Sequence, residues 1–425
     1  MTTSRNIAAQ HRSNDAPGPA RAFDGVICFG GVDWWYHNRG HYDLQMMREF
    51  SAEVPVLYIN SIGMRVPRVG EGSMFLSRVK RKFKSLSRGL TRINDRFAVF
   101  SPAVLPGQRL GALTRKTLPL QASLAARRLG ITKPLVWVAC PPARVAALSM
   151  RRSGLIYQRT DRFEAFKGVN AEAIRADDVA LKQHADLTLF CSGLLHQNES
   201  GECRHPLFVD HGVDFDAFSR AGAGAEFPAD VANLKRPLIG FIGGIDSHTF
   251  DPALFLQVAK LLPDMHFALI GACSLPQGWC ELPNVSLLGQ RPYQQVPGYM
   301  AACDVLIMPW VNSDWIKACN PVKLKEYLAV GRPVVTTWFD EVRKYQDLVR
   351  IGADAQSFAN AIREAIARPV SPEIGRARVC DQTWTAKARQ VLAALRDSGI
   401  VQTTAPAQHA GAVSNESAHV VGGAR

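Results

Sequence analysis

The residues best suited to chemistry stand close together near position 320. The run Asn320-Pro321-Val322-Lys323-Leu324-Lys325-Glu326 opens a helical pattern that continues to Val330. Asn320 is expected to cap this helix through its side-chain oxygen, with Pro321 at the first helical position, where no amide hydrogen is needed. The amides of Val322 and Lys323 then point outward, and the helix dipole adds partial positive charge. Together they make a site for a phosphate. Lys323 adds a full charge. Glu326 lies three residues later on the same face, and helical side chains lean back towards the N-terminus. A carboxylate beside a diphosphate would be repelled, so Glu326 is expected to accept hydrogen bonds from neutral hydroxyls, such as those of a ribose. The plainer alternative is an ordinary helix packed by Leu324 and Leu328, with Lys323 and Glu326 solvated.

Two further groups could act with this one. Leu155–Gln158 reads as a strand, which places Asp161 just past its carboxyl end, where α/β folds bind ligands. Asp161 is a site candidate by this placement; a salt bridge to Arg159 or Arg162, or a helix cap, is its structural alternative. His41 is a candidate base by residue type. It closes an aromatic and polar loop, Val32–Tyr42, that either faces a ligand or packs over the next helix. The third group is Gly243-Gly244, at the end of the strand within Pro237–Ile245, where paired glycines let a ligand approach the backbone.

The elements that must hold these groups follow from pattern. Gly331 suits a left-handed position after the central helix, Pro333 blocks continuation, and Val334–Thr337 is β-branched throughout, as in a buried parallel strand. Strand and helix alternate on both sides of the chain's middle, so the expected fold is α/β, with two doubly wound Rossmann-like domains facing across a cleft. The expected division is a disordered N-terminus over 1–22, a first domain over 23–215, a linker over 216–236, a second domain over 237–380, a crossing C-terminal helix over 381–399 and a disordered tail over 400–425.

Composition narrows the partners. The net charge of +13 points to an anionic one. Most of this excess lies between Met64 and Arg96, where Phe75, Leu76, Val79, Phe83, Leu86 and Leu90 recur at helical spacing among ten basic residues. Such a segment reads either as a helix on an anionic membrane surface or as a core-facing helix with a basic outer side. Nucleic acid fits the interleaved apolar residues less well. The nine cysteines are scattered, with no Cys-x-x-Cys pair, which argues against disulfides or structural zinc and for a reducing, cytoplasmic setting. No apolar run is long enough to span a bilayer, and the N-terminus has no signal core.

The stretch Glu326-Tyr-Leu-Ala-Val-Gly-Arg-Pro-Val-Val335 resembles the nucleotide-sugar motif of GT-B glycosyltransferases, close to the group 1 (family 4-like) retaining transferases that include teichuronic-acid and exopolysaccharide enzymes. Asp210-His211-Gly212-Val213-Asp214 is similar to that family's interdomain hinge, and Tyr157–Asp161 to a segment carrying a proposed base. The resemblance implies that Glu326 holds the ribose, that the helix start at Pro321, through the amides of Val322 and Lys323, holds the diphosphate, that Gly243-Gly244 packs beneath it, and that the turn at Arg291 and Tyr293 receives the base. Two departures stand out. Ala318 occupies the position of a glutamate that contacts the donor sugar, and Ser247-His248 stand near where a basic pair follows the glycine turn, leaving Lys323, with Arg291 second, to neutralise the phosphates.

The function expected is transfer of a sugar from a UDP- or GDP-linked donor to a glycan or lipid-linked acceptor, in envelope or exopolysaccharide assembly on the inner membrane face. No cofactor or metal is required in this scheme. The alternative is a membrane-peripheral scaffold that kept the fold and lost catalysis, which Ala318 and the missing basic pair favour. A nicotinamide dehydrogenase is disfavoured because no Gly-x-Gly-x-x-Gly follows either first strand.

Overall fold

The computed structural model describes residues 20–36, 40–63, 84–103, 108–166, 168–224 and 226–403. Two parallel-rich sheets build it. The first has eight strands: β2 (Gly25–Phe29), β3 (Val56–Ile59), β4 (Leu90–Asn94), β5 (Phe97–Phe100), β6 (Pro134–Val138), β7 (Gly154–Arg159), β8 (Leu187–Phe190) and β9 (Pro206–Phe208), in the order β4-β5-β3-β2-β6-β7-β8-β9. The second has six: β10 (Leu238–Ile242), β11 (His266–Ile270), β12 (Val285–Gly289), β13 (Val305–Met308), β14 (Val334–Thr336) and β15 (Val349–Ile351), in the order β12-β11-β10-β13-β14-β15. Every pairing is parallel except β4 with β5.

Both sheets are covered on both faces, as the strand sequences require. Val26 and Cys28 of β2 enter one core, while Ile27 and Phe29 enter the core on the opposite face. In β10, Leu238 and Ile242 face one side and Ile239 and Phe241 the other. Continuous apolar runs are therefore needed, and each strand's period of two divides them between two helix layers. The thiols of Cys28, Cys191 and Cys303 are buried within these layers, and all nine cysteines are unpaired.

Several boundaries differ from the pattern reading. The expected linker is not a linker: Phe215–Ala223 and Ala229–Ala232 are helices whose Phe218 and Val231 are fully buried in the second domain's core. The Ala/Gly composition disguised two apolar anchors. The expected disordered ends also meet, since β1 (Arg21–Phe23) pairs in parallel with β16 (Ile400–Gln402). Leu90 belongs to a strand rather than a helix. Thr91 and Ile93 favour a strand, and the Asn94 side chain accepts the Arg96 amide at 3.0 Å to turn the chain into β5. Residues 64–83, which hold most of the basic segment, lie outside the described residues. Among those described, no helix is long and apolar enough to cross a membrane.

The C-terminal helix, Trp384–Asp397, does return to the first domain. Trp384, Val391 and Leu395 are buried against Phe50, Val54 and Trp137. Its start locks the hinge: Val213 N donates to Gln382 O at 2.8 Å. A β-carbon on Gly212 would sit 2.5 Å from the Trp384 amide nitrogen, so only glycine admits the helix this close.

Candidate active site

The central helix spans Val322–Val330 and ends at Gly331 in the left-handed conformation (φ 81°), as its sequence demands. Its front differs from expectation. Pro321 is the capping residue, with no side-chain cap, and Asn320 does other work. The Asn320 amide donates to Cys191 O at 2.5 Å and to Asp210 Oδ1 at 2.6 Å, which ties the approach to the helix to the first domain. Without an Asn320 cap, the amides of Val322 and Lys323 precede the first intrahelical acceptors, and Leu324 is the first to bond back, to Pro321 O at 3.2 Å.

This front lies at the junction of the domains. Val322 packs on the core of the first domain, and Ala318 is buried against Phe190 and Leu195 of that domain. Gly193 N donates to Glu341 Oε1 at 2.5 Å across the same seam. Lys325 points to the hinge, pairing with Asp210 Oδ2 at 2.7 Å and donating to His211 O at 2.5 Å. Burial works against the Asp210 charge, but Lys325 outweighs it and holds the carboxyl below its usual range.

Lys323, two residues earlier, faces the opposite way. A β-carbon on Gly243 would lie 2.5 Å from its Cε and 2.8 Å from its Nζ, so the lysine stem rests directly on the glycine turn. A second close approach fixes that turn: a β-carbon on Gly271 would stand 1.7 Å from Gly243 O. Burial lowers the Lys323 pKa, against the opposing charges of Glu326, Cys319 and Asp246. Glu326 is buried and accepts a hydrogen bond from the Tyr293 hydroxyl at 3.0 Å. Burial pushes its pKa up to about 7, with Lys323 and Tyr293 pulling the other way. Glu326 is therefore not solvated, and Lys323 is half-buried.

Tyr293 was placed at the site by resemblance; its bond to Glu326 had no sequence signal, because 33 residues separate them. Its ring also lines a 370 Å³ cavity between the domains, with Trp34, Gln45, Arg48, Asp214 and Gln294. Arg291 is committed elsewhere. Its guanidinium pairs with Asp230 at 2.7 Å and donates to the Tyr299 hydroxyl at 2.7 Å.

The first-domain wall supplies Asp161 and His41. Arg159, fully buried, is taken by Glu164, Asp178 and Glu199, and this network fixes the end of β7 just before Asp161. Burial raises the Asp161 pKa, while His41, Arg159 and His248 oppose the rise. The Val32–Tyr42 loop is partly core: Trp34 packs on Phe97 with ring centroids 4.8 Å apart, and the Tyr42 hydroxyl donates to Val209 O.

His41 begins the helix Tyr42–Phe50, and its Nδ1 lies 2.7 Å from Asp43 Oδ1. Asp43, missed in the sequence, has no exposure. It also accepts from Gly31 N at 2.7 Å, Leu44 N at 2.9 Å and the Tyr58 hydroxyl at 2.9 Å. Burial disfavours a charged His41, yet Asp43, with Asp161 adding to it, raises its pKa overall. A His-x-Asp spacing at a helix start was the available signal.

Residues 236–368 match the family model described as glycosyl transferases group 1. TuaH of Bacillus subtilis (strain 168), assigned as a teichuronic acid biosynthesis glycosyltransferase, is 30% identical over 184 residues. The match takes in 41% of this chain and 46% of TuaH, so the chain spans about half the length of that relative. A sucrose-phosphate synthase from Thermosynechococcus elongatus superposes with a TM-score of 0.65 at 14% identity, covering 88% of this chain and 98% of that one. Anabaena HepE, solved in complex with UDP and glucose, gives 0.57 at 15% identity, again over 88% and 98%. The two sheets and the cleft between them are thus the GT-B arrangement, and the match to the group 1 glycosyl transferases falls within the second domain.

Proposed function

We propose that the chain transfers a glycosyl group from a nucleoside diphosphate sugar to an acceptor hydroxyl. The observation that carries this is the position of Lys323: its ammonium lies on the Gly243 turn, beside the helix front and one turn from Glu326. In this reading the Val322 and Lys323 amides and the Lys323 ammonium receive the diphosphate, Glu326 accepts from the ribose hydroxyls, and the base lies towards Tyr293. As the anomeric bond to phosphate breaks, negative charge builds on the leaving diphosphate, and fixed donors there stabilise it most in the transition state. Asp161 or His41, on the facing wall, takes the proton of the acceptor hydroxyl. UDP is the favoured carrier, since HepE is solved with UDP and glucose.

TuaH supports an acceptor in envelope polysaccharide assembly, and a lipid-linked glycan would bring the basic 64–96 segment to an anionic membrane face on the cytoplasmic side. Turnover of a panel of UDP- and GDP-sugars by purified protein tests the reading. Lys323→Ala should lower turnover by about two to three orders of magnitude, the usual cost of removing one such donor. Near-normal turnover in a folded Lys323→Ala protein would remove the role given to this lysine.

A further inference from the structure

We propose that Phe166, His248 and Trp315 form a subsite for the pyranose ring of the donor, spanning the two domains; this rests on the donor reading above. The three rings come from separate elements. Phe166 ends the short turn Phe163–Ala165 that follows Asp161, His248 lies after β10, and Trp315 sits on the single-turn helix Asp314–Lys317. They meet across the crevice. The His248 and Trp315 rings are tilted at 4.7 Å, and Phe166 meets both edge-on, at 6.3 and 6.1 Å.

Each ring is held in place. Asp246 Oδ1 accepts the His248 and Thr249 amides at 2.8 and 2.9 Å. Ser313 caps the Trp315 turn by accepting Ile316 N at 3.2 Å. Phe166 leans on Phe163 at 5.8 Å. Within this cluster two polar ring atoms, His248 Nε2 and Trp315 Nε1, are buried with no hydrogen-bond partner among the described residues. Such an atom destabilises the fold until something bonds to it. An aromatic face beside two unmet polar atoms is what a sugar ring satisfies. When the half-buried rings part around it, its C–H face stacks on the indole, one sugar oxygen accepts from Trp315 Nε1, and one hydroxyl bonds His248 Nε2.

The location fits the donor rather than a remote site. Asp246, which fixes His248, also acts on the Lys323 charge, and His248 acts on Asp161. Phe166, five residues after Asp161, and His248, five residues after Gly243, join the two walls at this cluster. Ala318 cannot substitute for this contact, because it is turned into the Phe190 and Leu195 cluster.

Saturation-transfer NMR on the full chain tests the proposal, with UDP-glucose, UDP-N-acetylglucosamine and GDP-mannose as probes and irradiation of the aromatic protons. For the probe that binds, ribose and sugar-ring protons should both gain signal in the native protein. In Trp315→Ala the sugar-ring signal should be lost while the ribose signal, fed by Tyr293, persists and shows that the variant still folds and binds. Phe166→Ala should weaken the sugar signal, and His248→Ala should flatten the preference among probes. Sugar-to-ribose ratios unchanged in Trp315→Ala and His248→Ala would overturn the subsite. Loss of both signals together would overturn it too, by showing a structural role only. No ribose signal in the native protein with any probe would instead sink the donor reading, and this inference with it.

Discussion

The two walls of the crevice are built in different ways. The second-domain wall is one helix front and one glycine turn, with Lys323 and Glu326 three residues apart on a single element. The first-domain wall is a constellation: Asp161 follows β7, His41 and Asp43 open a helix after β2, and Tyr58 arrives from β3. A backbone-based phosphate site is local, so its sequence is contiguous. A proton-handling site needs oriented side chains from several strand ends, so its parts are scattered.

A sharper contrast exists within the helix itself. Lys323 and Lys325 are two residues apart, so they leave the helix on different sides. One rests on Gly243, the other on Asp210. Lys325→Ala should produce the largest structural effect, about 3–5 kcal/mol by urea unfolding, because it leaves the Asp210 charge buried and unpaired. Lys323→Ala should leave stability nearly unchanged or slightly raised, since it removes a cation that burial already disfavours. Equal destabilisation by both would dissolve the distinction between a hinge lysine and a ligand lysine.

Next in size is Asp43→Asn. If Asp43 orients His41, turnover should fall by about one to two orders of magnitude, in the range of lost acid–base assistance. The shape of the pH profile separates positioning from mere packing. Asp43 raises the His41 pKa, so the limb on which His41 loses its proton should move to lower pH in the variant. A uniform drop with no movement of that limb would assign Asp43 a structural role.

Glu326→Gln should act on stability and on donor affinity with opposite signs. In the folded protein the Glu326 carboxyl titrates near pH 7, against its ordinary 4.5. Below the ordinary value both folded and unfolded chains hold the proton. Between the two values only the folded chain holds it, so the Glu326 contribution to stability declines as pH rises through this window. Above it the full cost remains, on the order of 3 kcal/mol. The variant should therefore be more stable than the native chain at pH 8 and little different near pH 4.5. Donor affinity should move the other way, because ribose hydroxyls donate best to the ionised carboxylate. Native affinity should climb through neutrality, and the variant's should stay low and flat. A variant less stable at pH 8 would contradict the burial assigned to Glu326.

The same contrast explains what could be read from the chain alone. Strand positions followed from apolar runs, and the central helix from Pro321, Gly331 and Pro333. That Lys323 and Glu326 share one helix followed from their spacing. Asp43 was missed because its value lies in the Gly31, Leu44 and Tyr58 groups that surround it, two of which are amides without sequence identity. Asn320 was misread because a local capping rule competed with two acceptors more than 100 residues away. The supposed linker failed because Phe218 and Val231 show their burial only against the second-domain core.

The central claim is that the helix front at Val322 and Lys323 grips a diphosphate. Isothermal titration of UDP, GDP and their parent nucleosides against native protein and Lys323→Ala tests it most directly. The account predicts that one diphosphate binds native protein at least about tenfold, or 1.4 kcal/mol, more tightly than its nucleoside, and that the variant loses this difference while nucleoside binding is unchanged. Equal affinity for nucleoside and diphosphate in the native protein, or an undiminished difference in the variant, would contradict it.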